Sequence, residues 1–155
     1  MAERTFAETL ARIVRKRLRA LLDDADGALA RGNDAELHAL RIDVKRLRYT
    51  LECAIPLARD ETLGALDLLA RMQERLGELA DVDTFGRTYE RLAESLPAGD
   101  PRRVGLNALT SSAGRERERA LAAARALWGE GASPYPERLA TSVSAALASL
   151  SPKSP

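Results

Sequence analysis

The stretch that decides the fold is residues 36–52, ELHALRIDVKRLRYTLE, in which apolar residues recur every three or four positions. These residues are Leu37, Leu40, Val44, Leu47 and Leu51. Their spacing predicts an amphipathic α-helix with one packed face. A second set recurs in the same way and consists of His38, Arg41, Lys45, Arg48 and Glu52. At about 100° per residue, this set forms a stripe beside the apolar face, so we expect its cations to lie over a groove between helices.

The composition favours helices along the whole chain. The 155 residues are 45% hydrophobic but only 4% aromatic, and no segment alternates with the two-residue period of a strand. This length predicts a single domain over residues 1–150, followed by a disordered tail at 151–155. The formal net charge is only +1, so any anion binding must come from local segregation of charge.

Turn and capping signals on either side of the opening stretch divide the chain into helices. RGND, residues 31–34, supplies a glycine stop signal for the first helix and an Asn/Asp cap for the second. Pro56 predicts the end of the second helix or a kink in it. Gly77, Asp81 and Asp83 predict a break or bend in the third, with Asp83 capping its continuation. The predicted ranges are about 5–31, 34–57, 62–79 continuing over 83–95, 102–128 and 137–150.

Short connections between long helices predict antiparallel neighbours. We therefore expect an all-α fold, an antiparallel four-helix bundle with a short C-terminal helix.

The first helix contains a second concentration of positive charge in RIVRKRLR, residues 12–19. Arg12, Arg15, Lys16 and Arg19 fall opposite the apolar face, which fits either a solvated surface or an extension of an anion-binding track. Arg17 falls inside the apolar sector instead. Its side chain must reach an edge, pair with an acid or line a polar groove.

Several classes of function are not expected from this sequence. The lone Cys53 excludes an internal disulfide and a cysteine-based metal site, and with a single histidine no metal site is expected. Asp81 and Asp83 are interpreted as caps and partners of the basic stripe rather than as a metal-binding pair. No apolar run approaches the roughly 20 residues that span a bilayer. We expect a cytoplasmic protein without metal or cofactor.

The segment LHALRIDVKRLRYTLE resembles the signature of the CHAD family (conserved histidine alpha-helical domain). The residues at matching positions are His38, Arg41, Lys45, Arg46, Arg48 and Tyr49. A weaker match lies in LARMQERLGELADVDTF, residues 69–85, where the matching residues are Gln73, Leu76, Gly77 and Asp81. The resemblance covers about residues 6–128.

The resemblance implies an all-helical, non-catalytic domain that binds inorganic polyphosphate through a basic surface, often on polyphosphate granules. The residues expected to contact the polyanion are His38, Arg41, Lys45, Arg46, Arg48 and Tyr49, together with Arg15, Arg17 and Arg19 of the first helix. Family members usually contain two such halves, and this chain has one. We therefore expect a half-sized surface or a homodimer that rebuilds the pair.

Three other functions stay open at this point. A nucleic-acid-binding protein would use the same cations, although aromatic residues for base stacking are scarce. A metal-dependent phosphohydrolase accessory domain would need His38 and the acids near Asp81. A purely structural helical partner would use none of these charges.

Overall fold

The computed structural model describes residues 5–129 and 133–150, and all regular secondary structure in these ranges is α-helical. The helices are α1 (Phe6–Arg31), α2 (Asp34–Glu52), α3 (Arg59–Ser95), α4 (Arg102–Gly129) and α5 (Tyr135–Ser149). The predicted all-α fold class is confirmed. The tail predicted to be disordered, residues 151–155, lies outside the described residues. Within the described ranges, no helix is both long enough and apolar enough to cross a membrane.

Helices α1 to α4 form the expected antiparallel bundle. Between α1 and α2, Arg31 pairs with Glu36 near the connection, and Arg17 reaches Thr50 further along, so residue numbers rise on one helix as they fall on the other. Contacts between α2 and α3 and between α3 and α4 follow the same reversed order. Two residues separate α1 from α2, which leaves no other orientation for a close-packed pair.

Helix α3 is the central element of the fold, because it contacts α2, α4 and α5. Its 37 residues span about 55 Å at 1.5 Å per residue. Asp83 of α3 meets Arg117 of α4, whereas Leu68 accepts a 2.7 Å hydrogen bond from the hydroxyl of Tyr135 on α5. Helices α4 and α5 therefore follow each other along α3, with α5 beside its N-terminal half.

The core contains mainly leucine and alanine, as the composition requires. Its largest fully buried side chains are Tyr135, Leu21, Leu47, Leu51, Leu69, Met72, Leu76, Leu79, Leu139, Val14, Val44 and Val143. Trp128 closes the core where α1, α4 and α5 meet. Its ring centroid lies 5.3 Å from that of Tyr135, and its indole N–H donates to Asp26 at 2.6 Å. Each fully buried leucine contributes roughly 1.5–3 kcal/mol, so this set dominates the stability.

The cap signals in RGND act as predicted, and the start of α1 has a cap that the sequence analysis did not assign. Thr5 caps α1 in a capping box with Glu8, and Asn33 caps α2 by accepting from the backbone N–H of Glu36. Gly32 ends α1 in the left-handed conformation, with φ 66°.

Helix α2 is shorter than predicted, because it ends at Glu52 rather than near residue 57. Pro56 has no N–H to donate to the carbonyl of Glu52, and its ring would collide with that carbonyl in a continued helix. The proline therefore acts four residues before its own position. Residues 53–57 form turns instead.

The predicted break in α3 is wrong, since one helix continues through Gly77 and Asp83. Leu76 and Leu79 are both buried on either side of the glycine. A helical glycine costs about 1 kcal/mol, which is less than the gain from burying the two leucines. Asp83 does not cap a helix but forms an ion pair with Arg117. Helix α3 also begins at Arg59, three residues before the predicted start.

The two glycines Gly32 and Gly77 are expected to respond to alanine in opposite ways. Gly32→Ala should lower the free energy of unfolding by about 2 kcal/mol, because a left-handed alanine is strained. Its Cβ would also lie 2.7 Å from a methyl of Leu121. Gly77→Ala meets no atom within 4 Å and should raise the free energy of unfolding by about 0.5–1 kcal/mol. Urea unfolding of both variants measures the difference, and equal shifts would contradict this account.

Candidate functional site

The basic stripe of α2 lies along the side of that helix that faces α3. Its members His38, Arg41, Lys45 and Arg48 follow one another along the helix, and Arg48 reaches across to donate to Gln73 of α3 at 3.2 Å. A groove of about 380 Å³ between the two helices is lined by His38 and Arg41. Its apolar lining comes from Leu37, Leu76 and Leu79. The stripe therefore stands over an interhelical groove, as the helical spacing predicts.

Arg41 carries the one buried side-chain nitrogen or oxygen among the described residues that has no hydrogen-bond partner. This atom is its Nε. A buried N–H without an acceptor costs about 1–3 kcal/mol, and more when the group is charged. The Arg41 side chain also lines the groove between α2 and α3.

The other cations of the stripe are only partly neutralised. Arg48 pairs with Glu52 at 3.2 Å, which confirms that this acid is a partner within the stripe. Lys45 lies over the ring of Tyr49, with Nζ 5.6 Å from the centroid, and the ring itself is half exposed. In residues 5–129 and 133–150, neither Lys45 nor Arg41 forms an ion pair with an acid. The middle of the stripe thus keeps its positive charge.

One end of the groove carries acids that are held by arginines from other helices. Arg117 donates from Nε to Asp83 and from Nη2 to Asp34, both at 2.7 Å, and Nη2 also reaches the carbonyl of Gly32. Arg87 donates to the second oxygen of Asp34 at 2.9 Å. Burial alone would lower the pKa of Arg117, but the hydrogen bond to Asp34 and the charge of Asp83 outweigh it, so its pKa is raised. This guanidinium therefore stays charged and holds the side chains of Asp83 and Asp34 in place at the end of the groove.

Pairing of Asp81 and Asp83 with the basic stripe was expected, and the structure pairs neither acid with it. Asp83 pairs with Arg117, and Glu78 pairs with Arg75 on its own helix. Asp81 is exposed and forms no ion pair with any described residue. The described ranges also contain no group of three or more His, Cys, Asp or Glu side chains placed to hold a metal ion.

The predicted site residues do not all meet on one surface. Arg46 and Arg17 lie in a groove between α1 and α2, on the other side of α2 from the stripe. Arg15 lines a third groove, between α1 and α5, and Arg19 is exposed. The structure brings together His38, Arg41, Lys45, Arg48 and Tyr49, and places the three arginines of α1 elsewhere.

Arg87 and Arg117 are site residues that the sequence analysis missed. Arg87 follows Leu76, Ala80 and Asp83 at helical spacing, so it would have been found if α3 had been predicted as one continuous helix. Arg117 gives no local signal, because its partners are more than thirty residues away in the chain.

Comparison with known proteins gives one match, which is to a protein family. The family model of the CHAD domain matches residues 1–90, which contain α1, α2 and most of α3. The match stops short of residue 128, where the resemblance was expected to end. No curated protein and no solved structure matches the chain. CHAD domains are known for binding polyphosphate and generally bind rather than catalyse. Since the family model covers more than half of its residues, the chain belongs to the CHAD family.

Proposed function

We propose that this protein binds inorganic polyphosphate without catalysis, along the groove between α2 and α3. The observation that carries the proposal is Arg41, whose buried Nε has no acceptor although it lines an open groove. His38 lines the same groove, and Lys45 follows at the next turn of α2. Positive charge without acidic partners in a groove favours an anionic ligand over a neutral one.

The residue types suit phosphate groups joined in a chain. An arginine offers a planar set of N–H donors that match phosphate oxygens, and a lysine acts as a mobile point charge. An imidazole ring carries an N–H donor, so His38 can also bond to a phosphate oxygen. Like charges on adjacent turns repel by a few tenths of a kcal/mol per pair, and a bound polyanion removes that cost. Binding should therefore weaken steeply with added salt.

The double variant Arg41→Gln/Lys45→Gln is expected to bind polyphosphate about thirtyfold more weakly. This figure takes roughly 1 kcal/mol for each cation that faces an anionic surface, and 1.4 kcal/mol per tenfold change. The measurement is titration with polyphosphate at fixed salt, with circular dichroism to show that both proteins stay folded. The matched control, Arg71→Gln/Arg75→Gln, removes two positive charges of α3 that form ion pairs outside the groove. Equal weakening in the two double variants would overturn the assignment of the site.

Competition experiments separate the proposed ligand from the alternatives. At fixed salt, polyphosphate should displace labelled DNA or RNA, and nucleic acid should not displace polyphosphate at equal phosphate concentration. If nucleic acid competes as well as polyphosphate, the ligand class is wrong. Release of orthophosphate that depends on added metal would instead support a phosphohydrolase role.

A further inference from the structure

The last turns of α3 and the first turns of α4 form a two-helix hairpin that continues past the start of α2. We call residues 84–95 and 102–116 the distal hairpin. Asp83 meets Arg117 at its base, and further along, a Cβ on Gly86 would lie 3.5 Å from the Cβ of Ala113. Two paired helices bury the seam between them and leave both faces of the pair in water unless another element packs there.

One face of the distal hairpin is apolar. Phe85 and Leu92 of α3 are each about half exposed, as is Leu109 of α4. Phe85 and Leu92 are two turns apart, so they lie within about 20° of each other around the helix. The reversed pairing of α3 with α4 places Leu109 level with residues 90 and 91. The three side chains therefore form one patch, which we call the hairpin patch.

The hairpin patch faces away from α1 and α2. Arg87, which donates to Asp34 of α2, lies about 160° around α3 from Phe85. Arg125, which donates to a carbonyl of α1, lies about 160° around α4 from Leu109. The patch and the α2–α3 groove are therefore on opposite sides of the hairpin.

We propose that a second copy of this chain docks on the hairpin patch, so that two distal hairpins form an antiparallel four-helix bundle. In an antiparallel pair of α3 helices, Phe85 of each copy meets Leu92 of the other. One patch then supplies both sides of the contact, as a two-fold axis requires. Glu78 and Asp81 of each copy lie toward the tip of the other, near Arg102, so the acids of the two copies do not oppose each other.

The size of this contact fits a specific dimer. Residues 81–96 extend about 24 Å at 1.5 Å per residue, and two adjacent helices are about 20 Å wide. This footprint corresponds to about 500 Å² per copy and about 1,000 Å² in total, the lower limit for a specific interface. The second copy also supplies contacts that the distal hairpin lacks within one chain, where few of its side chains are buried. Amide exchange of this segment should therefore slow as the protein concentration rises.

This dimer differs from the one that the CHAD resemblance implies, in which two basic stripes would come together. Here α2 lies on the far side of each hairpin, so the two α2–α3 grooves open on opposite sides of the dimer. The inference does not rest on polyphosphate binding, and the dimer is expected in the absence of polyphosphate.

Sedimentation equilibrium of the full chain without polyphosphate tests the dimer. The apparent mass should rise with concentration from 16.8 kDa toward twice that value. Phe85→Gln/Leu92→Gln should weaken the association by about a hundredfold or more, because four apolar side chains are no longer covered. The matched control, Leu63→Gln/Val104→Gln, replaces two exposed apolar residues outside the patch and should associate like the unmodified protein. Circular dichroism shows that both variants stay folded.

A cysteine near the two-fold axis tests the antiparallel arrangement. The axis passes between residues 88 and 89, so Thr88→Cys should form a disulfide with the same residue of the second copy. Cys53→Ser in the same chain removes the native thiol, which is exposed. The control in this background is Ser95→Cys, which lies about 10 Å along α3 from the axis and should not cross-link.

Three results would overturn the proposal. The first is a mass that stays at 16.8 kDa up to about 1 mM chain, since a specific interface binds more tightly than this. The second is equal weakening in Leu63→Gln/Val104→Gln, because exposed apolar area in general would then drive the association. The third is a dimer in which Thr88→Cys does not cross-link, because the interface then lies elsewhere.

Discussion

Replacing Arg117 by methionine is expected to lower the free energy of unfolding by about 3 kcal/mol. This arginine joins three helical segments, because it bonds to Asp83 of α3, to Asp34 of α2 and to the carbonyl at the end of α1. The side chain of Asp83 is only 10% exposed, so the variant leaves a carboxylate out of water without its partner. Removing one member of a buried ion pair costs about 3–5 kcal/mol, and the exposure of Asp34 places the value at the lower end.

Chemical unfolding measures this effect, and Arg119→Met is the matched control. Arg119 lies on the same helix and pairs with Glu116, but its side chain is 72% exposed. A surface ion pair of this kind contributes about 0–1 kcal/mol. If both methionine variants unfold at the same denaturant concentration, the Arg117 contacts do not stabilise the bundle as described. The same variant should also weaken polyphosphate binding, since unneutralised carboxylates would remain at the end of the proposed groove.

Trp128→Ala is expected to cost about 4 kcal/mol of unfolding free energy. The indole is 7% exposed and fills the junction of α1, α4 and α5. Truncating a buried aromatic side chain to alanine costs about 3–5 kcal/mol, because the lost burial and the remaining cavity add together. Tyr135 also loses its aromatic neighbour at 5.3 Å, so the packing of α5 should weaken with it.

Circular dichroism is the appropriate signal for this series, since Trp128 is the single tryptophan of the chain. Trp128→Phe keeps an aromatic ring against Tyr135 and loses the hydrogen bond to Asp26. It should therefore cost about 1–2 kcal/mol, well below the alanine variant. If the two variants lose the same free energy, the hydrogen bond rather than the packed ring holds this junction.

The beginning of the fold could be predicted from the sequence because its signals are local. Gly32 and Asn33 each act on backbone groups within four residues, and the end of α1 and the start of α2 follow from them. Pro56 is a local signal too, although its effect falls on the carbonyl of Glu52 rather than at its own position.

The course of α3 and part of the candidate site depend on contacts that sequence spacing does not contain. Gly77 is a helix breaker by propensity, and the burial of Leu76 and Leu79 overrides it. The position of the basic stripe over a groove follows from periodicity alone. Its separation from Arg17 does not, because it requires knowing that α1 and α3 pack on opposite sides of α2.

The length of α3 has a consequence for the motions of the molecule. Past the start of α2, the last turns of α3 and the first turns of α4 continue as a pair without support from α1 or α2. Between residues 88 and 116, Ala93 is the single buried side chain. Segments with so few buried contacts open at a small fraction of the global free energy. This end of the molecule can exchange its amide hydrogens by local opening, while the grooves on either side of α2 stay assembled.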